Sequence, residues 1–200
     1  MLEIVTVLYN EFETLDVFGP IEILGSFKDI FKPDYYSLDG GVVTSSQGVK
    51  IDTQKLSGVT SNGYILFIPG GIGSRELVYN KKLIDALSKL ATKAKYIFTV
   101  CTGSSLFSQT GLLDDKNATS NKKVMSWTKS IAPNVNWVDK ARWVKDDNIY
   151  TSSGVSAGID MSLGFIADTL GYDIAKQKSI EIEYSWLEDP SIDPFFEVHN

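Results

Sequence analysis

Two short, unbroken apolar runs constrain the fold most: Tyr64-Ile65-Leu66-Phe67-Ile68 and Tyr96-Ile97-Phe98-Thr99-Val100. A strand with one wet face alternates polar and apolar residues. A strand apolar at nearly every position is covered on both faces, as in a parallel sheet flanked by helices. Each run stops in small residues, Pro69-Gly70-Gly71-Ile72-Gly73 after the first and Cys101-Thr102-Gly103-Ser104-Ser105 after the second. Helical pattern then follows, with Leu83, Ile84, Leu87 and Leu90 spaced along Lys81–Thr92 and a second helix running to about Thr110. Elsewhere the same alternation holds. Glu3–Tyr9 reads as a first strand and Leu15–Phe27 as a helix, with Gly19-Pro20 placing a proline in its first turn. Asp34–Leu38 is a short strand, and Val42–Ser46 with Val49–Asp52 forms a small hairpin around Gln47-Gly48. A loop-rich middle leads to short strands at Val135–Val138, Ala141–Val144 and Ile149–Thr151. Helices at Ala157–Leu170 and Ile174–Trp186 precede an irregular tail. This order predicts one α/β domain over residues 1–200 with a mainly parallel sheet.

Composition removes several function classes. The chain has 200 residues and a formal net charge of -6. That balance argues against nucleic acid and anionic membrane as partners, because both need basic surface. No apolar run approaches the ~18 residues of a membrane span. The N-terminus reads as a strand rather than a signal peptide, so a cytoplasmic location is expected. One cysteine permits no internal disulfide and no Cys-rich metal site. The only histidine, His199, stands one residue from the end of the sequence. A zinc site or Ser-His-Asp triad would have to recruit that chain end, so neither is expected.

What remains is cysteine chemistry. Cys101 falls at a sharp strand-to-helix turn, the position of a nucleophile elbow. Backbone N–H groups and the helix start face it, an arrangement expected to favour a thiolate. Functional crevices of open α/β sheets lie at the carboxyl ends of strands. Asp16, the Gly70-Gly71-Ile72-Gly73 loop and Cys101-Thr102 all fall at such ends. A thiolate attacks an electrophilic carbon, backbone N–H groups of the glycine loop and Thr102 can stabilise developing negative charge, and a carboxyl can hold or deliver a proton. Each has a plainer reading. Asp16 can cap its helix, the glycine pair can simply turn the chain, Thr102 can open a helix, and Trp127 and Trp137 read as core or interface aromatics.

Four stretches together resemble the DJ-1/PfpI superfamily, and within it the isonitrile hydratases, over nearly the whole chain. They are Leu15-Asp16-Val17-Phe18-Gly19-Pro20, Ile68-Pro69-Gly70-Gly71-Ile72-Gly73, Val100-Cys101-Thr102-Gly103-Ser104 and Gly154-Val155-Ser156-Ala157-Gly158-Ile159-Asp160. The resemblance implies a flavodoxin-like three-layer α/β sandwich, usually a homodimer, needing neither metal nor organic cofactor. It implies Cys101 as nucleophile, Asp16 as the acid beside it, and Thr102 as a donor near the site. Gly70, Gly71, Ile72, Asn121 and Gly154 would border an oxyanion and substrate pocket. The implied reaction adds water to a small-molecule isonitrile, giving an N-substituted formamide. Relatives of the hydratase and protease kinds carry histidine where Asn121 stands, and asparagine is no general base at neutral pH. Asp16 is then the acid–base group expected beside Cys101. Related sensor domains of transcription regulators carry a helix-turn-helix region, for which this sequence leaves no room. Amidase, protease-like and glyoxalase-like activities are alternatives. So is a redox sensor whose event is Cys101 oxidation.

Overall fold

In a computed structural model of the protein, residues 1–199 are described. An eight-stranded sheet runs in the order β3-β4-β2-β1-β5-β6-β10-β9. Its strands are β1 (Leu2–Val7), β2 (Phe31–Ser37), β3 (Gly41–Thr44), β4 (Lys50–Lys55), β5 (Ile65–Ile68), β6 (Tyr96–Val100), β9 (Trp143–Asp146) and β10 (Ile149–Ser152). From β4 through β10 every neighbour is parallel, and only the edge strands β3 and β9 run antiparallel. A separate parallel pair joins β7 (Asn117–Ala118) to β8 (Asn136–Trp137).

The apolar runs behave as their composition requires. In β5, Ile65 and Phe67 point into one core, while Leu66 and Ile68 point into the other. β1 divides likewise, with Ile4 on one side and Val5 and Val7 on the opposite side. Helices cover both faces. On one lie α1 (Thr14–Gly25), α6 (Ala157–Thr169) and α7 (Tyr172–Glu181), over an aromatic cluster of Phe31, Phe98, Tyr150 and Phe165. The Phe98 and Phe165 rings meet edge to face at 4.8 Å. On the other side lie α2 (Ser74–Leu77), α3 (Lys81–Ala91), α4 (Gly103–Ser108) and α5 (Met125–Ile131), where α3 buries Leu83, Leu87 and Leu90.

Pro20 departs from expectation. It sits in the middle of α1 rather than its first turn. Its missing N–H removes the helix bond that the Asp16 carbonyl would otherwise accept. Packing explains why the helix continues. α1 crosses α6 so closely that a Cβ on Gly19 would meet Ile159 at 2.8 Å, and one on Gly158 would meet Pro20 and Val100 at 3.0 Å. The short helices α2 and α5 were not anticipated from the sequence, and the second closing helix ends at Glu181 rather than Trp186. No helix among the described residues is long and apolar enough to cross a membrane.

Candidate active site

Cys101 occupies the turn between β6 and α4 with φ of 56°, in the left-handed region. A non-glycine residue there carries roughly 1–2 kcal/mol of strain. The surroundings hold it in place. Its N–H is shared between the Ser152 and Ser153 carbonyls at 3.2 and 3.1 Å, at the end of β10. Its carbonyl accepts from the Ser104 and Ser120 hydroxyls at 3.0 and 2.9 Å. The side chain is turned above the sheet and is buried.

Three donors face the sulfur. Asn121 Nδ2 lies 3.1 Å from Sγ. The amide orientation is fixed by the opposite atom, because Asn121 Oδ1 accepts the Lys123 N–H at 3.0 Å. The other two donors are the backbone N–H groups of Thr102 and Val155. Gly154 makes room for this arrangement, since a Cβ there would fall 2.9 Å from Asn121 Nδ2.

Asp16 approaches from α1 and is fully buried. Its Oδ2 accepts the Gly70 N–H at 2.9 Å, and the Cys101 side chain is a further hydrogen-bonding neighbour of the carboxyl. Side chain and loop meet here only because Gly70 has no Cβ. One would lie 2.5 Å from the Thr102 nitrogen and 2.8 Å from Asp16 Oδ2. Burial holds the Asp16 carboxyl well above the usual carboxylate range, against the pull of the Gly70 N–H. The capping alternative for Asp16 therefore gives way: it lies inside α1, and the N-cap residue is Glu13.

The expected thiolate is not what the resting geometry favours. Burial first, and the neighbouring Asp16 second, push the Cys101 thiol up to about 12, and the three donors offset this only in part. The expected role of the glycine loop also changes. The Gly70 N–H serves Asp16, and the Gly71 N–H donates to Thr102 Oγ1 at 3.0 Å. These two amides therefore position the acid and the elbow. The Thr102 hydroxyl is likewise committed, taking a bond from Ser74 Oγ at 2.8 Å, so its contribution at the sulfur is its backbone N–H. Ile72 departs further. Its side chain is 62% exposed and borders a separate cleft with Asn10, Glu11 and Arg75.

A model of the DJ-1/PfpI family matches residues 3–168. The chain belongs to the DJ-1/PfpI family. An isonitrile hydratase from Pseudomonas putida is 30% identical over 92% of this chain and 79% of its own. The HTH-type transcriptional regulator CdhR from Pseudomonas aeruginosa is 27% identical over 80% of this chain, which spans 47% of that regulator. A ThiJ/PfpI family protein from Pseudomonas syringae superposes with a TM-score of 0.83 at 27% identity, covering 92% of this chain and 75% of that one. This DJ-1/PfpI chain thus shares its fold with a hydratase and with regulators, and the chemistry has to be argued from the site.

Sequence reasoning missed several residues around this family site. Tyr9, just past β1, is buried and donates to the Pro69 carbonyl at 2.8 Å; burial, then Asp16 and Cys101, raise its hydroxyl. Its place at a strand end was the available signal. Lys122, Arg142 and Asp193 form a buried ionic cluster beside the site. Phe195 and His199 line the adjoining cleft together with Asn121, Gly154 and Val155. His199, set aside above as a chain end, lies in the wall of that cleft. Trp127 and Trp137 are structural, as expected: Trp137 Nε1 donates to the Ala132 carbonyl, and Arg75 stacks 3.7 Å over Trp127.

Proposed function

We propose that this protein is a cysteine-dependent hydratase of a small isonitrile, giving an N-substituted formamide. The observation that carries the reading is the juxtaposition of a fully buried Asp16 carboxyl, which burial holds above the usual carboxylate range, with a buried Cys101 thiol inside three hydrogen-bond donors. The 30% likeness to an isonitrile hydratase supports it.

The terminal carbon of R–N≡C must receive a proton and a sulfur. Asp16 gives its proton to that carbon as the Cys101 sulfur bonds to it, and the carboxyl takes up the thiol proton. The product of this step is the thioimidate R–N=CH–S–Cys101, with Asp16 again protonated. A free thiolate is never needed beforehand, so a thiol raised by burial is compatible with the reaction. Water then adds to the same carbon while a proton reaches nitrogen. Collapse of R–NH–CH(OH)–S–Cys101 expels the sulfur, which regains a proton, and releases R–NH–CHO. Asn121, Thr102 N–H and Val155 N–H stabilise the charge that gathers on sulfur as it leaves.

Two observations weigh against the alternatives. Asn121, unlike histidine, supplies no base to a Cys-His amidase. A thiol held in its neutral form is a slow peroxide target, because the thiolate is the species oxidised. Incubation with isocyanoacetate and, separately, with cyclohexyl isonitrile, with detection of the formamide by NMR, tests the proposal, formamide from either counting in its favour. Turnover lost in Cys101→Ala is the expected result. Absence of formamide with a folded, alkylatable wild type would overturn it.

A further inference from the structure

A cleft of about 200 Å³ begins where the sulfur's shell ends. Asn121 and Val155 contact the sulfur on one side and border the cleft on the other, with Gly154 between the cleft and the Asn121 amide. Its outer wall comes from the chain's last segment, through Phe195 and His199. That segment is pinned rather than draped. Asp193 is buried, with Oδ1 3.5 Å from Arg142 and Oδ2 3.8 Å from Lys122. Its N–H donates to the Lys140 carbonyl, and the Pro190 carbonyl accepts the Arg142 N–H, both at 2.8 Å. Arg142 is in turn held by Asp160 at 2.9 Å. The wall thus springs from a buried anchor at Asp193.

The lining has a sign. Lys122, Lys123 and Arg142 border the cleft against Asp193, its one acid among the described residues. Lys122 and Arg142 are tied to buried partners, which leaves the exposed Lys123 as the cation facing solvent there. This local excess stands in a chain of net charge -6.

We propose that this tail-walled cleft receives the substituent of the substrate and selects a compact, anionic one such as a carboxylate-bearing side chain. Phe195 and His199 set its size, Lys123 sets its sign, and Asp193 is the positioning residue that holds the wall. The inference rests on the function proposed above only for the identity of the substrate.

The test therefore reads the cleft without any turnover. Cys101 is alkylated with iodoacetate and with iodoacetamide, and the rate ratio is compared with that of a free cysteine in a peptide. An acidic protein without such a cleft should disfavour the anion. The expected ratio exceeds the peptide's by about three- to tenfold at low salt, as one nearby cation would produce. Lys123→Glu should bring it to the peptide value or below. A wild-type ratio at or below the peptide's, or one untouched by Lys123→Glu, overturns the charge assignment. For the wall, Asp193→Asn should raise the rate of N-benzyl iodoacetamide several-fold relative to iodoacetamide. Should that variant fail to fold, Phe195→Ala reads the same wall from a residue 49% exposed. Unchanged size discrimination in the folded variant overturns the wall. A cleft that passes these tests in a protein that makes no formamide would refute the hydratase reading alone.

Discussion

At the scale of single residues, the site sets two acids against burial. Cys101 and Asp16 each resist losing a proton, and each would oppose the other once charged. Alkylation of the free protein by iodoacetamide should keep rising with pH beyond the ~8.5 of an ordinary thiol. A plateau below that pH would contradict the burial argument. Asp16→Asn retains an acceptor for the Gly70 N–H and places an amide where Oδ1 stands. It removes the transferable proton, so turnover should fall by roughly 10²–10⁴-fold, the range of general acid–base catalysis. Stability should move the other way. The folded pKa of Asp16 lies above its unfolded value, so folding takes up a proton between the two. The wild type therefore loses stability relative to Asp16→Asn as pH climbs from about 4 toward the folded pKa. Chemical denaturation of both proteins at pH 4 and pH 8 measures the gap, which should widen at the higher pH.

Among the elements, the crossing of α1 and α6 decides where Asp16 goes. Gly158→Ala would put a methyl 3.0 Å from both Pro20 and Val100, wedging α1 away from α6 and β6 together. Overpacking of this kind costs about 1–3 kcal/mol. The same shift carries Asp16 off Gly70, so turnover should fall although Gly158 touches no substrate. Loss of stability with normal turnover would show that Asp16 is held by Gly70 alone. The sequence made the buried strands legible because a run such as Ile65–Ile68 is uninterrupted and short. It made Cys101, Asp16 and Gly70 legible because each stands at a strand end or just beyond one. It did not disclose α2, whose four residues hold no period to detect. Nor did it place Pro20, because the proline rule speaks of local backbone while tight packing on α6 keeps this helix running. The tail was least legible of all. Asp193 meets Lys122 and Arg142 across long stretches of chain, and no local pattern encodes such a meeting.

Across the whole molecule, a large share of the aromatic rings, Phe98, Tyr150 and Phe165 among them, is buried inside the chain and is no ground for association. The stronger ground is α1, which leaves Leu15 and Phe18 at 42% and 37% exposure beside the site. We expect a homodimer covering that face; sedimentation showing only monomer at micromolar concentration would refute it. The ionic cluster gives a sharper expectation. Asp160 joins the start of β9 to the tail: Oδ2 pairs with Arg142 at 2.9 Å and Oδ1 accepts the Leu187 N–H at 3.0 Å. Trp186 Nε1 donates to the Asp160 carbonyl at 3.2 Å, so an indole reports on the same junction. Arg142 and Asp160 side chains are 3% and 0% exposed. Removing Asp160 leaves Arg142 only the longer pairing with Asp193 at 3.5 Å, so the cost falls toward the lower end of the about 3–5 kcal/mol of a broken buried pair. Asp160→Ala should therefore lower global stability by that order. The tail should also release before the sheet, because its remaining anchors are few. Denaturation followed by tryptophan fluorescence should accordingly begin at lower denaturant than loss of far-UV circular dichroism in Asp160→Ala, while the wild type shows coincident curves. Coincident curves in the variant would mean that the tail and the sheet unfold as one body, and that the wall of the cleft is held by more than this cluster.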